Sequence, residues 1–100
     1  MNKSPRNGEA IMQKVVLDIL NGMPNGEATI EELLDEVPNR IKLTKGDLEP
    51  SPTRTGEKKW EQIVRNIRSH SDSSKNYISK GYIEEIDGGY SITALGRTKA

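Results

Sequence analysis

The sequence predicts a mainly α domain with a small β-hairpin, a winged helix-turn-helix of three main helices and a two- to three-stranded antiparallel sheet. Three observations lead there. Apolar residues recur at helical spacing in three segments. A turn signal, Asp87-Gly88-Gly89, separates two short strand-like runs near the end. The last and longest helical pattern runs directly into that hairpin.

Length and composition set the limits. The chain has 100 residues, enough for one domain with a modest core. Hydrophobic residues make up 32% and there is no Phe, so aromatic volume must come from Trp60 and three Tyr. The absence of Cys excludes disulfides, Cys-ligated zinc and thiol catalysis. The N-terminus MNKSPRNGEA has no apolar core of a signal peptide. No run approaches the roughly 18 apolar residues of a membrane span, so the expected location is cytoplasmic.

Residues 1–8 read as a disordered lead-in, and residues 9–98 as a single winged helix-turn-helix domain with a long loop at 38–56. The first helix is expected over 9–21, with Ile11, Val15, Val16, Ile19 and Leu20 on one face, widened by Met12 and Leu17. Asn21-Gly22 stops it. Ala28-Thr29 is short for a strand, but a winged helix holds a one- or two-residue strand here. Thr29 and Glu32 have the spacing of a capping box. The second helix follows, with Ile30, Leu33, Leu34 and Val37 inward, and Pro38 ends or kinks it. In the loop, Thr44–Leu48 suits one helical turn, and Pro50 and Pro52 impose extended chain before Gly56.

The stretch 57–80 is expected as one helix, because Trp60, Ile63, Val64, Ile67, Ser71, Ser74 and Ile78 stay in phase. The alternative is a break in the poor helix-former run Ser69–Ser74, with Asp72 or Ser73 capping a second short helix. Gly81 is placed at C′, after Lys80. Tyr82–Ile86 and Tyr90–Thr93 are the hairpin strands, and Thr93 caps a last short turn.

Charge is uneven along the chain although it nets to zero. Residues 9–53 hold nine carboxylates and four cations; residues 54–80 hold seven cations and three carboxylates. On the 57–80 helix the row opposite the apolar stripe is Lys58, Gln62, Arg65, Ser69, Asp72 and Asn76. These are groups that reach bases and phosphates: Arg65 suits guanine, Gln62 and Asn76 suit adenine. Lys58, Lys59, Arg68 and Lys75 suit phosphates, with Ser69 a short hydrogen-bonding contact. Arg54 in the long loop is expected as a second contact. The hairpin, with Glu84, Glu85 and Asp87, is a poor wing for DNA. The competing reading is a solvated amphipathic helix, and Trp60 is expected in the core.

Catalysis is not expected. Glu57-Lys58-Lys59, with Asp47 upstream, has the E-x-K form of a metal-dependent nuclease, but that chemistry needs the triplet on a strand beside a second acid. His70 is the only His and makes no metal site alone. There is no phosphate loop or nucleophile elbow. No metal or cofactor is expected.

Several motifs together carry a resemblance. Leu43-Thr44, Asp47-Leu48-Glu49-Pro50-Ser51, Trp60 and Val64-Arg65-Asn66 are followed by Tyr77-Ile78, Lys80-Gly81-Tyr82-Ile83-Glu84, Gly89-Tyr90, Ile92-Thr93 and Gly96-Arg97. Over roughly residues 9–98 the chain resembles the N-terminal winged-helix domain of Mrr-like restriction proteins, and related winged helices fused to HNH-type restriction nucleases. The Leu43–Asn66 segment is the more specific part. The resemblance implies a double-stranded DNA partner and a targeting role beside a nuclease domain or subunit. Some related winged helices are similar to readers of modified bases. Two other functions fit the residues: a free-standing transcriptional regulator of the same fold, such as a phage one, or a protein-interaction winged helix. A homodimer is left open.

Overall fold

A computed structural model describes residues 8–53, 55–70 and 73–100. Among these, four α-helices and three strands run in the order α1 (Glu9–Gly22), β1 (Glu27–Thr29), α2 (Ile30–Arg40), α3 (Lys59–Arg65), β2 (Ile83–Ile86), β3 (Gly89–Ile92) and α4 (Ala94–Lys99). A single 3-10 turn, Arg68–His70, follows α3. The sheet is antiparallel with strand order β1-β3-β2. This arrangement is compatible with a winged helix. No helix among the described residues is long and apolar enough to cross a membrane. The expected lead-in, apart from Gly8, lies outside the described residues.

α1 buries Met12, Val15, Val16, Leu17, Ile19 and Leu20. Ile11, expected on that face, is 48% exposed instead. The polar Gln13 takes an inward place because its Oε1 accepts the Tyr77 N–H at 2.7 Å. The helix ends at Gly22 with extended backbone at Met23, so its stop does not use a left-handed residue at Asn21-Gly22.

β1 leads straight into α2. The Thr29 hydroxyl accepts the Glu32 N–H and the Glu32 carboxylate accepts the Thr29 N–H, at 3.1 and 2.8 Å, which is the expected capping box. The Ile30 N–H is taken by Gly88 O at 2.9 Å, so the hairpin turn is docked on the α2 N-terminus. α2 does not end at Pro38. It runs to Arg40, because Pro38 sits in the last turns, where the bond its missing N–H forfeits is one of few still to be made.

The expected single helix over 57–80 is interrupted. α3 stops at Arg65, and the chain turns through the 3-10 segment before a separate set of turns over 73–81. Two causes combine. The serine-rich run offers side-chain competitors to helical bonds. The buried Tyr90 hydroxyl also donates to Val64 O and Arg65 O at 3.0 and 3.2 Å, and accepts the Arg68 N–H at 3.3 Å. The bonds that would extend α3 are thus replaced. Ser71 and Asp72 lie outside the described residues. The chain leaves the last turn through Gly81, whose φ is +81°. Tyr82 N–H bonds to Tyr77 O and Gly81 N–H to Ile78 O, the double bond pattern of a Schellman end.

The core gathers α1, α2, α3 and the sheet: Met12, Leu17, Leu20, Leu33, Val37, Trp60, Val64, Ile67, Ile83 and Tyr90 are all buried. Each aliphatic side chain buried there contributes about 1.5–3 kcal/mol. Trp60, 4% exposed, is a core residue as expected.

Tyr90 ties this core to the end of α3. Tyr90→Phe should lower stability by about 1–3 kcal/mol, because it strips partners from buried backbone groups; urea unfolding at neutral pH measures it. Burial, its largest influence, raises the pKa of Tyr90 above the usual tyrosine value. The unfolded chain releases this proton first as pH rises. The stability linked to Tyr90 is therefore full below about pH 10 and is lost as pH climbs toward the raised folded value. Tyr90→Phe should flatten that alkaline loss.

Candidate nucleic-acid interface

α3 presents the row expected to read DNA, and a loop folds back over it. Residues 49–53 and 55–59 close a narrow excursion: Lys59 N–H bonds to Glu49 O and Ser51 N–H to Glu57 O, both at 2.8 Å, with Pro50 bridged to Lys58. Asp47 anchors its start. The carboxylate is buried and accepts the Thr44 N–H at 2.9 Å, while the Thr44 hydroxyl accepts the Asp47 N–H at 3.2 Å. Trp60 N–H then bonds to Asp47 O.

The loop engages the α3 row side chain by side chain. Gln62 Oε1 accepts from the Ser51 hydroxyl at 2.5 Å, and its Nε2 donates to Thr53 Oγ1 at 2.7 Å. Arg65 Nε donates to Glu57 at 2.6 Å, with both side chains largely covered. Lys59 Nζ donates to Glu49 at 2.9 Å. From the other side Arg68 meets Glu85 of β2 at 3.6 Å. The Arg65–Glu57 contact is short and charge-assisted, the stronger kind. The Lys59 and Arg68 pairs are more exposed and contribute about 0–1 kcal/mol each.

The remaining expected contacts divide. Lys58, Ser69 and Lys75 are exposed, and neither Lys58 nor Lys75 has a carboxylate partner among the described residues. The Lys58 N–H donates to Glu61, which closes the first turn of α3. Arg54 lies outside the described residues. Asn76 is a correction. It is 2% exposed, its Nδ2 donates to Ile67 O and its Oδ1 accepts from Ile78 N–H, both at 2.7 Å. It shapes the turn after the 3-10 segment and has no edge to offer a base. Because α3 ends at Arg65, Lys75 and Asn76 do not share a helix with Gln62 and Arg65.

Glu49, Ser51, Thr53 and Glu57 are the residues sequence reasoning missed. They meet α3 from eight to eleven positions away, at no helical or strand period. The two prolines followed by Gly56, which has φ +86°, were the one local sign of a turning loop. The hairpin carboxylates Glu84, Glu85 and Asp87 are exposed. No group of three or more potential metal-ligating side chains occurs among the described residues. No family model, no curated protein and no solved structure matches the chain.

Proposed function

We propose that the chain is a winged helix-turn-helix module that binds double-stranded DNA through α3, in the cytoplasm and without catalysis of its own. The carrying observation is the α3 row of Gln62 and Arg65, flanked by Lys58 and Lys59. None of these four residues belongs to the hydrophobic core, and polar loop side chains bond to Gln62, Arg65 and Lys59. A row of amide and guanidinium donors on the second helix of a helix-turn-helix pair matches the chemistry of major-groove edges. Lys58, Lys75, Ser69 and Arg68 supply phosphate contacts at its margins. Work beside a restriction-type nuclease rests on the resemblance of Leu43–Asn66 to Mrr-like proteins. A free-standing regulator would use the same surface.

Fluorescence anisotropy of a labelled duplex, methylated or unmethylated, tests this at several salt concentrations. Binding should weaken with salt, with a log–log slope of about 0.9 per phosphate contact. A preference for the methylated duplex would favour the restriction setting. Arg65→Ala should cost about 1–3 kcal/mol and relax preference at one base position. Lys58→Ala should weaken all sequences alike. Unchanged affinity in both variants, with the fold intact, would remove α3 as the reading element.

A specific observation favours a second reading, a protein-interaction surface. Lys59, Arg65 and Arg68 are each paired with a carboxylate, and the hairpin exposes two more, Glu84 and Asp87. Absence of duplex binding at low salt would support it.

A further inference from the structure

We infer that residues 49–53 and 55–58 form an inhibitory strap, which must be displaced before a duplex can reach α3; this rests on the DNA-binding reading proposed above. Lys59, Gln62 and Arg65 each already hold a mimic of a DNA partner. Glu57 and Glu49 place carboxylate oxygens 2.6 and 2.9 Å from Arg65 and Lys59, the distances at which a phosphate oxygen or a guanine acceptor sits. Ser51 and Thr53 take the acceptor and the donor end of the Gln62 amide, the two groups a bidentate contact with adenine requires. While these contacts stand, the Arg65 Nε–H, both ends of the Gln62 amide and the Lys59 ammonium are each engaged by the loop.

The strap is also built to lift. Pro52, Thr53, Thr55, Gly56 and Lys58 are exposed, and no described residue between Ser51 and Lys58 belongs to the hydrophobic core. Its ends are fixed, by the buried Asp47 on one side and the Lys59–Glu49 backbone bond on the other. Opening between those anchors breaks the Ser51–Glu57 backbone bond and polar side-chain contacts that water and the duplex replace. A phosphate backbone competes for the same cations with more charge than the two glutamates bring, so duplex and strap exclude one another.

The sign of the effect separates a strap from a structural brace. Affinity for a labelled mixed-sequence duplex is measured by anisotropy at about 50 mM salt and above, for the unaltered chain and three double variants, each checked by thermal melting. Glu49→Gln with Glu57→Gln should bind about tenfold more tightly, because two carboxylates no longer compete with the duplex for Lys59 and Arg65. Ser51→Ala with Thr53→Ala keeps the net charge and frees Gln62; it should bind about threefold more tightly or better. Glu31→Gln with Asp35→Asn, on the exposed side of α2, is the control for net charge and should gain clearly less. Equal or weaker binding by both strap variants, or an equal gain in the control, overturns the strap and leaves the DNA reading standing. If neither the unaltered chain nor any variant binds, the DNA reading itself falls, and the strap with it.

Discussion

Asn76→Ala is expected to lower stability by about 2–4 kcal/mol. The side chain is buried and bonds to three backbone groups: it donates to Ile67 O and accepts from Ile78 N–H and Ser79 N–H. Truncation leaves the first two without their short 2.7 Å bonds, and each buried polar group stranded in this way costs about 1–3 kcal/mol. Urea unfolding should show a lower midpoint with an unchanged slope, since the surface exposed on unfolding hardly changes. A base-reading Asn76 would give the opposite pattern, with stability kept and DNA affinity lost. Asn76→Asp keeps the acceptor and loses the donor to Ile67 O, so it should also destabilise.

Gly89→Ala should destabilise by about 3 kcal/mol or more, at the upper end of overpacking effects. A Cβ at this position would lie 2.0 Å from Ala28 O and 2.7 Å from Thr29 Cα. Both obstacles are backbone, so no side-chain rotation relieves them. β1 would have to leave β3, and with it the pairings Glu27↔Ser91, Ala28↔Tyr90 and Thr29↔Gly89. The Gly88 O bond to Ile30 N–H at the start of α2 would be strained as well. The neighbouring glycine gives the comparison. At Gly88 a Cβ meets nothing within 4 Å and only the φ of +78° opposes it, so Gly88→Ala should cost about 1–2 kcal/mol. Similar losses at the two positions would contradict the close-approach explanation.

What the sequence made legible was local. Thr29 and Glu32 announced their capping box by spacing, and Asp87-Gly88 announced the hairpin. Gly81 announced a positive φ, although it closes a set of turns and not the expected helix. Each depends on neighbours within a few residues. The helix over 57–80 misled because phase is necessary but not sufficient. Trp60, Val64 and Ile67 are buried as the pattern says, but a hydroxyl from Tyr90, far along the chain, takes the carbonyls that would continue α3. Ile78 then packs against the core from a different turn. The same phase puts Asn76 on the polar row, whereas the side chain is buried. In α1 the exchange of Ile11 for Gln13 depends on one distant N–H, that of Tyr77. The loop over α3 was least legible, since ion pairs at spacings of eight and ten leave no period to detect.

The fold and the interface are separable in experiment. Asn76→Ala and Gly89→Ala act on stability, whereas Arg65→Ala and the strap substitutions act on a surface. The expected changes differ in kind, so a variant that unfolds is not mistaken for one that fails to bind.

The most direct measurement is an amide and side-chain NMR titration of the 15N-labelled chain with a short duplex. The first signals to shift should be the Gln62 side-chain amide, the Arg65 Nε–H and the backbone of residues 49–53 and 55–59, with the α1 and α4 signals unmoved. Shifts confined to α1, α4 or the acidic hairpin, or no shifts at low salt, would contradict the α3 interface.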